Sequence, residues 1–332
     1  MQIALALGSG GARGYAHIGV IDELTARGHE IVAVSGSSMG SIVGGLHAAG
    51  KLEPYCTWVE TLTQRDVWML LDPAFSGPGV FWGRRVMDRV AELLEGVTIE
   101  ELPIPFTAVA TDLTASREVW FQRGSVAMAM RASIGIPSVF TPVMLHGRLL
   151  ADGGILNPVP VDPLLGTPAD LTLAVSLSGP HNSRTSQQPV SETADSGVLG
   201  EITGRLRGVM ESEQVRGVLD WWQSRFASEQ PGEPRLEASD PAGPGDPDAT
   251  ASPRSLEEFD ALPRGLRTSD VVSKTLDTTQ ALITRFRMAA SPPDILVEVA
   301  QNAASTFDFH RASELIALGR EKAAAALDEA GL

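Results

Sequence analysis

The first fifty residues alternate in a way that few folds accommodate. A short apolar run at 2–7 meets a glycine-rich segment, GSGGARG, at 8–14. Helical spacing then holds from about residue 12 to 27, with Tyr15, Ile18, Ile21 and Leu24 at three-residue steps and Gly28 placed to end it. A second apolar run at 31–34 passes directly into GSSMG at 36–40, and a helix rich in small residues follows at roughly 39–49. Strand, loop, helix, strand, turn, helix predicts parallel strands joined by a helical crossover. A parallel sheet needs helices on both faces. The fold class expected is therefore α/β, with three layers, α/β/α, around a mainly parallel sheet.

The rest of the chain extends this pattern. Residues 51–100 read as mainly helical, broken by DPAFSGPGVFWG at 72–83, a loop expected near the functional site. Strands are expected at 107–110, 118–121, 149–151, 171–176 and 295–299. A helix is expected at 270–288, with Val272, Leu276, Thr279, Ile283 and Phe286 on one face, and a last one at 311–328. After Gly179 the character changes. Residues 181–196 are polar, 201–226 form a candidate helix with Val218, Leu219, Trp222 and Phe226 on one face, and 228–262 hold six prolines, nine acids and two arginines. That last composition predicts a mobile, solvated segment. The expected organisation is a catalytic core over 1–180, a variable helical and acidic Pro-rich insertion over 181–265, and a C-terminal completion of the core over 266–332.

Composition narrows the function classes. A net charge of −15 argues against nucleic acid and against docking on anionic lipid by charge. An apolar surface still permits transient contact with a membrane. Without an apolar stretch of 18 residues nothing is expected to span a bilayer, and the N-terminus lacks the basic start of a signal peptide. The single cysteine, Cys56, excludes an intrachain disulfide and a Cys-based zinc cluster. A cytoplasmic protein, peripheral at most to a membrane, is the expectation. Oligomeric state is open.

Three short motifs carry the chemistry. GSSMG fits G-x-S-x-G, in which small residues let the backbone turn sharply from strand to helix and hold the hydroxyl of Ser38 clear of the chain. Gly36 and Gly40 are the small residues that permit this. The helix start that follows adds partial positive charge. In GSGGARG, bounded by Gly8 and Gly14, tandem glycines expose backbone N–H groups able to hold a phosphate or a carbonyl oxyanion. A dinucleotide fingerprint fails because its third glycine would fall on Arg13, and a P-loop fails for want of a lysine. The oxyanion reading leads. The third motif, ADGG, puts Asp152 at a strand end before Gly153 and Gly154. No metal or cofactor is called for: no oxygen-rich calcium loop is visible.

G-x-S-x-G raises the expectation of a Ser-His-Asp triad. Of the six histidines, His17, His29, His47, His146, His181 and His310, only His310 falls late enough to serve as such a base. The fold that places it there, however, has several strands before its serine, and here only two precede Ser38. Two further residues have paired readings. Arg13 contacts a phosphate head group or braces the glycine loop. Asp112 caps a strand turn or acts as a second base. Trp221, Trp222 and Phe226 offer a lid, an interfacial anchor or plain packing.

In their order and spacing GSGGARG, GSSMG and DGG resemble the patatin-like phospholipases. RASIGIPSVFTPV (131–143) and DGGILNPVP (152–160) are similar to that family's middle, and PPDILVEV (292–299) with STFDFHRASELI (305–316) to its small bacterial branch related to neuropathy target esterase. The resemblance implies a patatin-like fold and a Ser-Asp dyad with Ser38 as nucleophile and Asp152 as base. It implies an oxyanion hole built from Gly10, Gly11, Ala12 and Arg13, and hydrolysis of lipid carboxylic esters, lysophospholipid or phospholipid, through an acyl-serine. Ser9 stands where many members have a third glycine. An acyltransferase with the same nucleophile, or a catalytically silent regulatory protein, is the competing reading. An aspartate with an ordinary pKa of about 3.9 is a weak base for a serine hydroxyl, so modest turnover is expected.

Overall fold

A computed structural model of the chain describes residues 1–72, 81, 83–136, 140–180 and 268–332. Most of the loop expected at 72–83, the polar run 181–196, the helix 201–226 with its aromatic residues, and the acidic segment 228–262 lie outside the described residues.

Among the described residues eight strands form one sheet: β1 (Gln2–Leu7), β2 (Glu30–Ser37), β3 (Phe106–Asp112), β4 (Arg117–Phe121), β5 (Val143–Leu145), β6 (Arg148–Asp152), β7 (Leu171–Gly179) and β8 (Ile295–Ala300). The path of pairing is β5-β6-β3-β2-β1-β7-β8, with β4 on β3. The run β3-β2-β1-β7-β8 is parallel throughout, and β4, β5 and β6 add antiparallel pairings at one end. The helices are α1 (Ala16–Ala26), α2 (Met39–Ala48), α3 (Leu52–Glu60), α4 (Gln64–Leu71), α5 (Arg84–Leu94), α6 (Val126–Ser133), α7 (Thr268–Ala290) and α8 (Ala312–Glu329). None of the helices among the described residues is long and apolar enough to cross a membrane.

The layers follow from the two-residue period of the strands. In β1, Ile3, Leu5 and Leu7 enter the main core with α1, α2 and α8, while Ala4 and Ala6 face the other way. On that second face Ala33 and Ala174 are equally small. Val159, Val161 and Leu164 of the stretch after β6 therefore lie directly on the sheet, and Met288 of α7 packs on them. The α/β architecture around a mainly parallel sheet expected from sequence is the one observed.

Three local features differ from expectation. The first helix opens with a 3₁₀ turn at Gly11–Tyr15 before α1 begins. Helix α6 and the three-residue β5 had no clear sequence signal. On α7 the predicted face is inward only in part: Leu276 and Ile283 are half-buried, but Thr279 is exposed and Phe286 is 70% exposed, while Thr284 is buried. Arg287 anchors the helix. Its Nη1 donates to Asp162 Oδ2 (2.8 Å), its Nε to the Leu156 carbonyl (2.9 Å), and its Nη2 to Glu118 Oε1. These bonds hold α7 to β4 and to the stretch after β6, and the adjacent Phe286 stays exposed.

Helices α1 and α8 touch backbone to backbone. A Cβ at Gly319 would run into the Ala16 carbonyl, and one at Gly19 into the Ile316 carbonyl. Gly319→Val should lower stability by about 1–3 kcal/mol through overpacking, read as a lower urea midpoint with unchanged slope. An unchanged midpoint would show that the helices can separate without loss.

Candidate active site

Ser38 sits at the tip of a sharp strand-to-helix turn. β2 ends at Ser37, α2 starts at Met39, and Ser38 between them has φ 55° and ψ −125°. A side chain in that left-handed region stores about 1–3 kcal/mol of strain, held only where neighbours over-determine it. The turn closes because a Cβ on Gly36 would strike the Gly40 carbonyl, and one on Gly40 the Leu7 carbonyl. The Ser38 carbonyl accepts from Ser41 N–H (2.9 Å) and Ser41 Oγ (2.7 Å), and its N–H donates to Ser133 Oγ (2.8 Å).

Asp152 reaches the same place from the opposite direction. β2 pairs with β3 in parallel up to Ser37↔Val109, and β6 pairs with β3 antiparallel from Ala110↔Asp152 onward. β4 occupies Ala108 to Asp112 antiparallel, so it takes one edge of β3 and leaves β2 and β6 to share the other. The two strand ends therefore meet on adjacent residues of one edge. Gly154 N–H donates to Asp152 Oδ1 (2.7 Å), and Thr111 Oγ1 to the Asp152 carbonyl (2.9 Å). Oδ2 is buried with no hydrogen-bond partner. Burial pushes the Asp152 pKa up to about 6, against the opposing pull of the neighbouring Ser38 hydroxyl and the Gly154 amide.

The glycine loop lies alongside. Gly8 N–H donates to the Val175 carbonyl (3.0 Å), Ser9 N–H to Pro158 (2.8 Å) and Ala12 N–H to Thr306 (3.1 Å). Arg13 N–H falls inside the 3₁₀ turn. The N–H groups of Gly10 and Gly11 have no partner among the described residues. Of the four amides expected to line a cradle, those of Ala12 and Arg13 are thus engaged within the fold. The structure also decides between the two readings of Arg13. Its buried guanidinium donates from Nε to the Gly10 carbonyl (3.1 Å) and from Nη1 to the Gln301 carbonyl (2.6 Å), so it braces the loop. Gly14 faces the Met39 side chain, Gly153 the Val109 carbonyl, and Gly154 the Ser9 hydroxyl.

Asp112 caps a turn, its Oδ1 accepting from Thr114 N–H (3.0 Å) and Ala115 N–H (3.1 Å). His17 is fully buried, and burial lowers its pKa to about 4. Its neutral ring donates from Nε2 to the Gly8 carbonyl (2.8 Å), a brace for the glycine loop. His310 is exposed, while its neighbour Phe309 faces the site. Among the described residues no group of three or more His, Cys, Asp or Glu is placed to hold a metal ion.

Ser38 and Gly11 border an apolar cavity. Met39, Tyr55, Trp58, Val67, Leu71 and Phe309 form much of its wall. Sequence reading missed this wall, because α3, α4 and the turn at Phe309 come together only in the folded chain.

Residues 5–165 match the Patatin-like phospholipase family. An uncharacterized NTE family protein of Mycobacterium tuberculosis is 42% identical over 342 aligned positions, which take in 98% of this chain and 91% of that protein. The chain belongs to the NTE family of patatin-like proteins. Human patatin-like phospholipase domain-containing protein 6 is 32% identical over 53% of this chain and 13% of its own length. The lysophospholipase NTE1 of Cryptococcus neoformans is 33% identical over 49% of this chain and 10% of its own. The solved structure of VipD from Legionella pneumophila aligns at 18% identity with a TM-score of 0.43, over 56% of this chain and 51% of that one.

In this NTE family chain the raised Asp152 pKa has a stability consequence. Below its unfolded value of 3.8 the carboxyl is neutral in both states. As pH rises through about 6 the folded state must carry a buried charge that the unfolded state carries in water, so stability falls. At pH 7.5 this amounts to roughly 3 kcal/mol. Asp152→Asn should therefore be about 1–3 kcal/mol more stable than wild type at pH 7.5, with the gap closing by pH 4, as measured by denaturant unfolding across that range. A variant less stable than wild type at pH 7.5 would contradict the burial argument.

Proposed function

We propose that the chain hydrolyses carboxylic esters of lipids, lysophospholipid or phospholipid, through an acyl-serine formed on Ser38 with Asp152 as its base. The observation that carries this reading is the unpartnered, buried Oδ2 of Asp152 beside the Ser38 hydroxyl at the edge of an apolar cavity. Family membership, and the lysophospholipase name of one relative, support a lipid ester as substrate.

Ser38 Oγ attacks the ester carbonyl carbon and its proton passes to Asp152. The oxyanion that forms lies against the N–H groups of Gly10 and Gly11, each such donor contributing about 3–4 kcal/mol in comparable sites. Collapse breaks the ester bond, and the departing alcohol takes the proton from Asp152. Water then attacks the acyl-serine, gives its proton to Asp152, and the second collapse releases the fatty acid while Ser38 regains a proton. The cavity holds the acyl chain. Burial makes Asp152 a stronger base than a free aspartate, which matches it better to a serine hydroxyl near neutral pH.

The base must be ionised to act. The value of kcat/KM on a medium-chain p-nitrophenyl ester should rise about tenfold per pH unit below 6 and level off above 7. Ser38→Ala and Asp152→Asn should each lose roughly a thousandfold or more, and Ser38→Ala should lose fluorophosphonate labelling. The His310→Ala variant should keep both. A His310→Ala variant that folds but is inactive, or a flat profile through pH 6, would overturn the dyad.

A further inference from the structure

Ser133 closes α6 and is fully buried, 95 positions after Ser38 in the chain. Its hydroxyl makes two bonds. Oγ accepts the Ser38 N–H at 2.8 Å and donates to the Val109 carbonyl at 2.6 Å. Val109 is the last β3 residue that β2 pairs with, opposite Ser37. In a continued parallel ladder the next N–H of β2 would meet that carbonyl directly. Ser133 Oγ stands in its place, inserted between strand end and strand.

We infer that Ser133 is a positioning residue for the Ser38 nucleophile, and this rests on the reading of Ser38 given above. The inserted hydroxyl does two things at once. It lifts the end of β2 off β3 by the width of one oxygen, which gives the backbone room to turn into its left-handed conformation. It also supplies an acceptor for an N–H that the turn has taken out of the ladder, and a buried N–H left unmatched is costly. Asp152 is referenced to the next residue of the same strand, Ala110, and to Thr111 Oγ1. Nucleophile and base are thereby measured from one β3 edge. Without the Ser133 hydroxyl, Ser38 relaxes toward an ordinary conformation and its Oγ moves off the line to Asp152. A misplacement of about 1 Å is enough to lose on the order of 100-fold in rate.

The test uses the full chain and three variants, Ser133→Ala, Ser133→Cys and Ser133→Thr, with p-nitrophenyl ester kinetics and fluorophosphonate labelling rates. Ser133→Ala should lower kcat and the labelling rate by roughly 10–100-fold with KM within about threefold. Ser133→Thr, which keeps donor and acceptor, should recover most of the loss. Ser133→Cys keeps the volume but accepts a hydrogen bond weakly, so it should show the same direction of loss even if the alanine variant fails to fold. Ala or Cys variants that label at the wild-type rate would overturn the inference, as would a Thr variant no better than Ala or a change confined to KM. A wild-type chain that neither hydrolyses esters nor labels would overturn the esterase reading itself, and this inference with it.

Discussion

Two strand ends share one edge of β3, and the rest of the site depends on that sharing. β2 climbs the edge in parallel and stops at Val109. β6 comes down it antiparallel and stops at Ala110. Residues more than a hundred positions apart in the chain are brought together by backbone pairing to one strand. A hydrogen-bonded ladder has fixed spacing, so it works as a ruler. Ser133, Thr111 and Gly154 then refine where the hydroxyl and the carboxyl stand on it.

The arrangement is unfavourable in itself. Ser38 is strained, Asp152 is buried with one oxygen unmatched, and Ser9 Oγ, His17 Nδ1 and Asn157 Oδ1 nearby are also buried without partners. Each orphaned polar atom costs on the order of 1–3 kcal/mol. What offsets them is a continuous apolar core that takes in β1, α1, α2 and α8, together with two arginine clamps. Arg13 ties the glycine loop to Gln301 after β8, and Arg287 ties the stretch after Asp152 to α7. C-terminal elements thus stiffen a site whose motifs all lie in the first half of the chain.

Much of this was legible in the sequence. The opening alternation predicts the parallel β1–α1–β2 unit, and GSSMG, GSGGARG and DGG mark the three pieces of the site because each is a local backbone requirement for small residues. What was not legible is set by contacts across the chain. Nothing local says that the Ala12 N–H is taken by Thr306, or that the Ser133 hydroxyl enters the ladder at Ser38. Nor is the raised pKa of Asp152 legible locally, because a reference pKa assumes water around the carboxyl, and only the fold removes it. The α7 face was legible only in part: Leu276 and Ile283 are half-buried, but Phe286 is exposed beside Arg287, whose partners on β4 and after β6 no local pattern announces.

The central claim is that the Asp152 carboxyl is buried, ionisable near neutral pH and in contact with the Ser38 hydroxyl. Its titration by NMR, with aspartate side-chain carboxyls labelled with carbon-13 and assigned by comparison with Asp152→Asn, tests this directly. The account predicts one carboxyl titrating near 6 that moves higher in Ser38→Ala, since the hydroxyl favours the ionised form. A carboxyl titrating near 4, or one indifferent to the loss of Ser38, would contradict it.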